Sequence, residues 1–358
     1  MPCGGGNVYK MNDIASSRVI EGDKTIKDAL VRINDLRGHL ILFVVASDGA
    51  LMGTVTDGDI RRALVSGGAL TTPLSGVMRR DYKFLAENDR NVELIAQFRE
   101  HRLKLIPVLD KELKIRAVLD LDAVRTLLPV QALIMAGGDG VRLRPLTNSL
   151  PKPLIPIGDK TIIEHNLALL TLYGIDDISI SIRYLADKIK AQLRHPLANK
   201  ALKYVMERTP GGTIGALSGI DSFTQETILV MNSDILTNIN LEEFYKSFVA
   251  SASALAIATV PYRVNVPYAI CRSTGIQVDE LDEKPSFTFQ ANAGIYLVSR
   301  RAAAMVPPGV RIDAPDFARE LMTKGERVTQ YQLREYWLDI GRPEDLQRAT
   351  EDIQHLRF

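Results

Sequence analysis

The second half of the chain alternates between runs that are apolar throughout and segments whose apolar residues recur at helical spacing. The apolar runs "ALIMAG", "DISISIRY", "LKYVME", "TILVMNSD" and "ASALAIATV" alternate with helical segments such as "TIIEHNLALLTLYG" and "LEEFYKSFVA". Strands that are apolar along their whole length and separated by helices are typical of a mostly parallel sheet covered on both faces. The pattern therefore predicts a Rossmann-like, three-layer α/β domain over residues 129–358. Ligands of such sheets bind at the carboxyl ends of the strands.

Two copies of another pattern precede this domain. Each copy has a short amphipathic helix, a β-rich run, a turn, a second strand and a closing helix. The predicted strands cover 41–45, 51–56, 105–108 and 115–119. The closing helices are predicted to begin near Gly58 and near Leu121. Because the copies lie about sixty residues apart, which exceeds the period of most solenoid repeats, we expect them to pack as a pair into one compact α+β unit.

Composition narrows the class of protein. The 358 residues are 46% hydrophobic and 24% charged, which is ordinary for a globular protein, and the net charge is +1. This balance gives no support for a nucleic-acid or membrane partner. Cys3 and Cys271 are far apart, and the start "MPCGGGNVYK" has no apolar core typical of a secretory signal. We therefore expect a cytoplasmic protein whose residues 1–11 are disordered.

The stretch "ALIMAGGDGVRLRPLTNSLPKPLIPIG" carries the most unusual residues. Gly137, Gly138 and Gly140 directly follow a predicted strand, so the backbone can turn sharply and bring its N–H groups close to an anion. A P-loop would need Gly-Lys-Ser/Thr after the glycines, but Val-Arg follows. A dinucleotide-binding fingerprint would need a third glycine at position 143, where Leu143 stands. A phosphate-binding turn of another kind and a plain strand–turn remain, and the polar residues that follow favour the phosphate-binding turn.

Two cations accompany this turn. Arg142 follows the glycines, and a guanidinium beside a group of N–H donors suits the oxygens of a polyphosphate. Lys152 stands between Pro151 and Pro153, which hold it on a stiff, extended segment. A rigidly held ammonium is suited to stabilising charge that develops on a transferred phosphoryl group.

These residues fill every position of the pattern Gly-Gly-x-Gly-x-Arg-Leu-x-Pro-Leu-Thr followed by Pro-Lys-Pro. The stretch resembles the signature of the sugar nucleotidyltransferases, and the resemblance covers about residues 130–350. It implies a catalytic domain over 129–358 that condenses a nucleoside triphosphate (NTP) with a sugar 1-phosphate, releasing pyrophosphate. It also implies nucleotide-binding roles for Ala136, Gly137, Gly138, Gly140, Gly212, Thr213 and Gly215.

Later motifs extend the resemblance. The segment "TPGGTIGAL" is similar to the family's base-binding segment, although Gly211 and Ile214 depart from its commoner residues and leave the base open. By resemblance, Asp234 and Asp339 hold a catalytic Mg²⁺, and oxygen ligands are the ones that this ion prefers. The resemblance further implies that Glu283 and Asn292 bind sugar hydroxyls and that Lys284 meets the sugar phosphate. Arg142, Lys152 and Lys284 are thus the expected catalytic residues.

The N-terminal pair of copies, residues 12–128, resembles a tandem pair of CBS domains. In "GTVTDGD", Thr56 and Asp59 occupy the family's ribose- and phosphate-binding positions, whereas "RAVLDLD" in the second copy keeps only Asp122. The resemblance implies that AMP, ADP or ATP binds here and regulates the enzyme. Asp59 can alternatively be a helix N-cap without a ligand. Because CBS pairs often associate face to face, we also expect a homo-oligomer.

Chains that join a CBS pair to this kind of catalytic domain most resemble guanylyltransferases of the mannose-1-phosphate type. GTP is therefore the expected nucleotide, while UTP, dTTP and CTP stay open. A nucleotide-sensing protein with an inactive transferase half is the alternative. The presence of Arg142, Lys152, Asp234 and Asp339 argues against it.

Overall fold

The computed structural model describes residues 17–193, 202–220 and 223–356. The predicted disordered segment 1–11 lies outside this part of the chain. The chain divides into two compact units. Unit 1 comprises Met1–Leu128 and Leu172–Asp176, and unit 2 comprises Pro129–Thr171 and Asp177–Phe358.

Unit 1 contains two small sheets with the same arrangement. In each sheet a short first strand pairs in parallel with the second strand, which pairs antiparallel with the third. The first copy consists of β1 (Val19–Glu21), α1 (Ile26–Asn34), β2 (Ile41–Val45), β3 (Leu51–Thr56) and α2 (Asp57–Val65). The second consists of β4 (Leu85–Ala86), α3 (Val92–Glu100), β5 (Leu105–Leu109) and β6 (Ile115–Asp120). All four strands predicted in this region are confirmed.

The helix predicted near Leu121 is wrong, because residues 121–123 form a turn and residues 124–128 are irregular. The carboxylate of Asp120 accepts the backbone N–H of Asp122 at 2.9 Å and closes a turn where a helix would begin. The amides of Arg125 and Leu128 then donate to carbonyls of residues 172 and 173 instead of to helical partners. Pro129 also limits the length of any helix here, because a proline disfavours helical backbone in the residue before it.

The two copies share an apolar core, as expected for a pair within one unit. The amide of Leu51 donates to the carbonyl of Leu113 at 2.9 Å, which links the turn regions of the copies. One buried cluster draws on both copies and contains Phe43, Val45, Leu51, Leu105, Leu109 and Ile115.

Unit 2 is built on a seven-stranded sheet. Its strands are β7 (Val130–Ala136), β10 (Ile178–Ile182), β11 (Lys203–Met206), β12 (Thr227–Asn232), β14 (Leu255–Asn265), β17 (Ser286–Ser299) and β18 (Val328–Gln332). Their order is β11-β10-β7-β12-β17-β14-β18, and four of the six neighbouring pairs are parallel. The central strands β7, β10 and β12 are buried almost throughout. The predicted mostly parallel, covered sheet is confirmed.

Helices and short strands surround this sheet. The helices are α4 (Ile162–Leu172), α5 (Ala186–Gln192), α6 (Gly212–Gly215), α7 (Leu241–Ser251), α8 (Arg300–Ala303), α9 (Ala314–Thr323) and α10 (Pro343–Asp352). The short strands are β8 (Pro156–Ile157), β9 (Lys160–Thr161), β13 (Ile235–Thr237), β15 (Ile270–Thr274), β16 (Gln277–Asp282) and β19 (Trp337–Asp339). None of the helices that the structure describes is both long and apolar enough to cross a bilayer.

Candidate active site

The carboxyl ends of β11, β10, β7 and β12 surround one cavity in unit 2, with a volume of about 360 Å³. Its walls include the glycine-rich turn after β7, the segment that begins α6 and the turn after β12. The structure brings together these residues from the predicted set: Gly137, Gly138, Gly140, Arg142, Lys152, Gly212, Thr213 and Asp234. Residues more than ninety positions apart in sequence thus share one site, and their individual roles stay predictions.

The glycine-rich turn is crowded at Gly140 and open at Gly138. Gly140 adopts a left-handed backbone with φ of +61°, and a Cβ there would lie 3.0 Å from the Thr147 side chain. Thr147 also donates its hydroxyl to the Gly140 carbonyl at 2.8 Å, which holds the turn closed. Gly138 faces open space, with no atom within 4 Å of the position of a Cβ. Its bare backbone is therefore accessible to an anion. Ala136, by contrast, is buried.

Strand pairing brings the two predicted metal ligands together. The short strands β13 and β19 pair antiparallel with Ile235 opposite Asp339, so Asp234 lies at the same end of the pair as Asp339. The amide of Ile340 donates to the Asp234 carbonyl at 3.0 Å. Lys152 lies between the carboxylates, with its Nζ 2.5 Å from Asp234 Oδ2 and 3.9 Å from Asp339 Oδ1. The site is thus a cation flanked by two acids.

One oxygen of the two aspartates lacks a partner in the described part of the chain, and their charges repel each other. Asp234 Oδ1 is buried and has no hydrogen-bond partner among the described residues. Burial and then the neighbouring Asp234 charge raise the pKa of Asp339, while Lys152 and Arg142 act in the opposite direction. Two close carboxylates with a free buried oxygen fit a divalent cation that prefers oxygen ligands.

The predicted base-binding segment is firmly held. Gly212 has φ of +76°, and a Cβ there would lie only 2.4 Å from the Ile312 carbonyl oxygen. That carbonyl accepts the amides of Ile214 and Gly215 at 3.1 and 3.3 Å. Thr213 donates its amide to Asp313 Oδ1 at 3.2 Å. The segment is therefore a short, clamped helix (α6) rather than a loose turn.

Asn292 lies in a second cavity of about 430 Å³, whose lining also includes Asp339 and Trp337. Its side chain donates to Tyr296 Oη and accepts the Gly294 amide, each at 2.9 Å. Burial raises the pKa of Tyr296 to about 12 despite the hydrogen bond from Asn292, so its hydroxyl stays protonated. The Asn292 side chain is fixed in place beside Asp339.

Glu283 and Lys284 are not brought to either cavity. They lie in the connection between β16 and β17, with side chains 74% and 69% exposed and their charged atoms 3.8 Å apart. Lys284 has a left-handed backbone with φ of +47°. The predicted contacts of Glu283 with sugar hydroxyls and of Lys284 with the sugar's phosphate therefore stay predictions.

In unit 1, Thr56 and Asp59 form a capping box at the start of α2. Thr56 is the N-cap, and Asp59 Oδ2 accepts the Thr56 amide at 2.9 Å while the Asp59 amide donates to Thr56 Oγ1 at 3.2 Å. Asp59 Oδ1 also binds Arg62 at 2.5 Å and Arg79 at 2.7 Å. Burial alone would raise the pKa of Asp59, but the hydrogen bonds from Thr56, Arg79 and Arg62 outweigh it and hold the pKa at about 2. Capping, the alternative interpretation of Asp59, is thus observed, and nucleotide binding stays a prediction.

Asp122 lies in a separate polar cluster of unit 1. Its carboxylate accepts a hydrogen bond from Lys104 Nζ at 2.6 Å and lies 3.0 Å from His39 Nε2. The Lys104 hydrogen bond is the main cause that lowers the pKa of Asp122. His39, Asp120 and Asp122 offer three ligand atoms within 4.8 Å of one another, but Lys104 already offsets the charge there.

Four further charged side chains line the first cavity and were not predicted from the sequence. They are Arg183, Glu207, Arg311 and Asp313. Arg183 and Glu207 directly follow β10 and β11, so the rule that ligands bind at the carboxyl ends of parallel strands could have found them. No comparable signal marks Arg311 and Asp313, which a loop about one hundred residues further along brings to the site.

Comparisons with known proteins agree with this geometry. The nucleotidyl transferase family profile matches residues 131–355, which is more than half of the chain, and the CBS domain profile matches residues 13–66. The chain therefore belongs to the nucleotidyl transferase family, with a CBS domain in its N-terminal part.

Individual relatives show the same class. The chain is similar to a mannose-1-phosphate guanylyltransferase of Mycobacterium tuberculosis, with 29% identity over 237 residues that cover 63% of this chain and 64% of that protein. It is also similar to a D-glycero-alpha-D-manno-heptose 1-phosphate guanylyltransferase of Aneurinibacillus thermoaerophilus, with 24% identity over 63% of this chain and 99% of that protein. The chain thus spans 64% of the length of the first of these relatives.

A solved structure supports the fold. A crystal structure from Bacillus anthracis, described as a glucose-1-phosphate thymidylyltransferase, superimposes with a TM-score of 0.52 and 22% identity. It covers 64% of this chain and 97% of that protein. At this identity the similarity establishes the architecture alone.

Proposed function

We propose that the protein transfers a nucleotidyl group from a nucleoside triphosphate, preferably GTP, to a sugar 1-phosphate. A phosphate oxygen of the sugar 1-phosphate forms a bond to the α-phosphorus, the bond between the α-phosphorus and the bridging oxygen breaks, and pyrophosphate leaves. The observation that carries the proposal is the convergence of an open glycine turn, Arg142, Lys152 and Asp234 on one cavity, with Asp339 3.9 Å from the Lys152 ammonium.

Positioning and electrostatics supply the catalysis in this proposal. The backbone N–H groups around Gly138 and the guanidinium of Arg142 bind the departing pyrophosphate. Lys152 offsets the charge that grows on the α-phosphate in the transition state. Lys284 is assigned to the attacking phosphate by family resemblance alone, since its side chain is exposed in this structure.

Asp234 and Asp339 are the residues that would hold a divalent metal, which enzymes of this family generally use. When bound, the metal neutralises phosphate oxygens and lowers the barrier to the transfer. The free buried oxygen of Asp234 and the raised pKa of Asp339 support this assignment.

The preference for guanine rests on Glu207. Its carboxylate lies against Gly137, where a Cβ would be 2.9 Å from Oε1, and it accepts the Gly211 amide at 3.1 Å and the Ser181 hydroxyl. A carboxylate accepts two parallel N–H bonds well. Guanine alone presents two adjacent donors, N1–H and N2–H, on its pairing edge. Uracil and thymine present one donor between two carbonyl oxygens, and a carboxylate repels these oxygens.

The sugar is proposed to be mannose 1-phosphate or a related manno-configured sugar phosphate. The names of both guanylyltransferase relatives include such a sugar phosphate, mannose 1-phosphate in one and a manno-heptose 1-phosphate in the other. The pocket around Asn292 and Trp337 is the place where that sugar would bind beside the metal ligand Asp339.

The test is a pyrophosphate-release assay with GTP, ATP, UTP, CTP and dTTP, each combined with a panel of sugar 1-phosphates and Mg²⁺. We expect turnover to be fastest with GTP and mannose 1-phosphate. Lack of turnover with every pair would contradict the proposal and would favour the alternative, a nucleotide-sensing protein without transferase activity.

The guanine assignment has its own test, the variant Glu207→Gln. An amide replaces one acceptor by a donor, so we expect kcat/KM for GTP to fall roughly 10- to 100-fold, as for loss of one bidentate base contact. The rate with UTP should hardly change. Glu226→Gln, which alters an exposed glutamate paired with Arg300, is the matched control. An equal loss for all nucleotides would show that Glu207 supports the fold and does not select the base.

A further inference from the structure

The glycine-rich turn, which is expected to bind an anion, itself contains an acid. Asp139 lies between Gly138 and Gly140, and its side chain is 42% exposed. A carboxylate among N–H groups that would receive phosphate oxygens repels those oxygens. The turn therefore needs a compensating cation if it is to bind a triphosphate.

Arg183 supplies that cation. Its Nη2 lies 2.6 Å from Asp139 Oδ1, and its side chain is only 25% exposed. It follows β10 directly and lines the same cavity as Arg142 and Lys152. Its Nε is buried and has no hydrogen-bond partner among the described residues.

The backbone around Arg183 is well held. The hydroxyl of the next residue, Tyr184, donates to the carbonyls of Thr147 and Asn148 at 3.1 and 3.2 Å. Thr147 in turn binds the Gly140 carbonyl, so the segment after β10 is tied to the glycine-rich turn. The arginine is thus presented to the turn by neighbours that do not depend on Asp139.

We propose that Arg183 is a further triphosphate-binding residue, which contacts the β- or γ-phosphate, and that Asp139 is its counter-ion when no nucleotide is bound. This inference rests on the proposed function. A guanidinium has five N–H donors, so it can turn its unused donors to phosphate oxygens or exchange the carboxylate for them. Asp139 competes with the phosphates for the arginine, which weakens the hold on pyrophosphate.

The first experiment measures binding of inorganic pyrophosphate, GTP and GMP by calorimetry to the full-length protein and to Arg183→Gln. We expect the Kd for pyrophosphate and for GTP to rise on the order of 10- to 100-fold, as for loss of one charge-assisted hydrogen bond. The Kd for GMP should stay the same, because it has no β- or γ-phosphate. Arg183→Lys, which keeps the charge, should recover part of the affinity.

The matched control is Arg300→Gln, which removes a surface arginine paired with Glu226 at 3.1 Å. It should bind all three ligands like the wild type. A loss of GMP affinity in Arg183→Gln equal to the loss for GTP would overturn the inference, because Arg183 would then contact the base or act through the fold.

The second experiment uses Asp139→Asn to separate binding from simple charge compensation. Alone, this variant should bind pyrophosphate several-fold more tightly, because it removes a like charge and releases Arg183. Arg183→Gln should still weaken pyrophosphate binding when added to Asp139→Asn. If it has no effect in that background, Arg183 only neutralises Asp139, and the inference is wrong.

Binding to the wild type and to Arg183→Gln distinguishes a failure of the proposed function from a failure of the role of Arg183. A wild-type protein that binds neither pyrophosphate nor any triphosphate contradicts both the proposed function and the role of Arg183. A wild type that binds GTP, together with an Arg183→Gln variant that binds GTP and pyrophosphate equally well, contradicts only the role of Arg183.

Discussion

At the scale of single residues, the site depends on charges that are held before any substrate arrives. Pro151 and Pro153 fix the backbone on both sides of Lys152, and Asp234 fixes its ammonium at 2.5 Å. Such a cation does not have to be reorganised at the moment of reaction, which is the condition under which a charge contributes most to catalysis.

Lys152→Ala tests this directly. We expect kcat to fall at least on the order of 100-fold, since removing one preorganised donor to developing charge typically has that effect. The variant should still fold, but its melting temperature should fall, because Asp234 loses the ammonium that lies 2.5 Å from it. Lys324→Ala, which removes an exposed lysine paired with Glu320 on α9, is the control and should retain full activity. A near-normal rate in Lys152→Ala would contradict the proposed mechanism.

At the scale of secondary-structure elements, short strands and helix caps decide the placement of charged groups. The pairing of β13 with β19 involves only three residues on each strand, yet it sets Asp339 beside Asp234. In unit 1 the capping box of α2 uses both Asp59 oxygens, which accept from Thr56, Arg62 and Arg79.

The Asp59 contacts predict a pH-dependent stability of unit 1. Because the folded-state pKa of about 2 lies below the ordinary value of 3.8, the carboxylate stabilises the fold above about pH 4. That contribution is lost as the pH falls toward 2. We expect Asp59→Asn to lower the free energy of unfolding by roughly 1–2 kcal/mol at pH 6, after allowance for solvent around the arginines, and by much less at pH 2.5.

Native-state hydrogen exchange of the β2 and β3 amides, corrected for intrinsic rates, would measure this difference within unit 1. Asp57→Asn is the control, since it removes a carboxylate from the same helical turn that pairs with the exposed Arg61. A difference between Asp59→Asn and wild type that is the same at both pH values would refute the role of the carboxylate charge.

At the scale of the whole molecule, a CBS domain shares the chain with a nucleotidyl transferase domain. CBS domains generally bind adenine nucleotides, so we propose that unit 1 binds AMP, ADP or ATP and regulates the enzyme. The homo-oligomer expected from the sequence is likewise a proposal, which sedimentation velocity would test.

Adenine nucleotides should therefore raise the melting temperature of the protein by a few degrees at saturating concentration, in line with the linkage between binding and stability. AMP is the most informative ligand, because it has no triphosphate for the cavity of unit 2. Asp59→Ala should abolish the shift caused by AMP, whatever its own melting temperature, and CMP serves as the ligand control. If AMP, ADP and ATP all fail to shift the wild type, unit 1 has a structural role instead.

The sequence by itself determined the local structure and the chemistry on offer. The strands at 41–45 and 51–56 form where their apolar patterns predict, because a continuous apolar run in the first and an alternating pattern in the second are local properties. The glycine turn, Arg142 and Lys152 could be identified as anion-binding groups because they lie within sixteen residues of one another. The helix near Leu121 failed because contacts with residues distant in sequence replaced its hydrogen bonds.

Only the tertiary structure decided which distant groups meet. The register of β13 on β19 joins Asp234 to Asp339, and the order of β11 and β10 beside β7 brings Glu207 and Arg183 to the glycine turn. The same packing leaves Glu283 and Lys284 exposed, although the sequence grouped them with the site. Pairing between strands that are far apart in the chain is set by burial of the whole sheet, so no local pattern in the sequence records it.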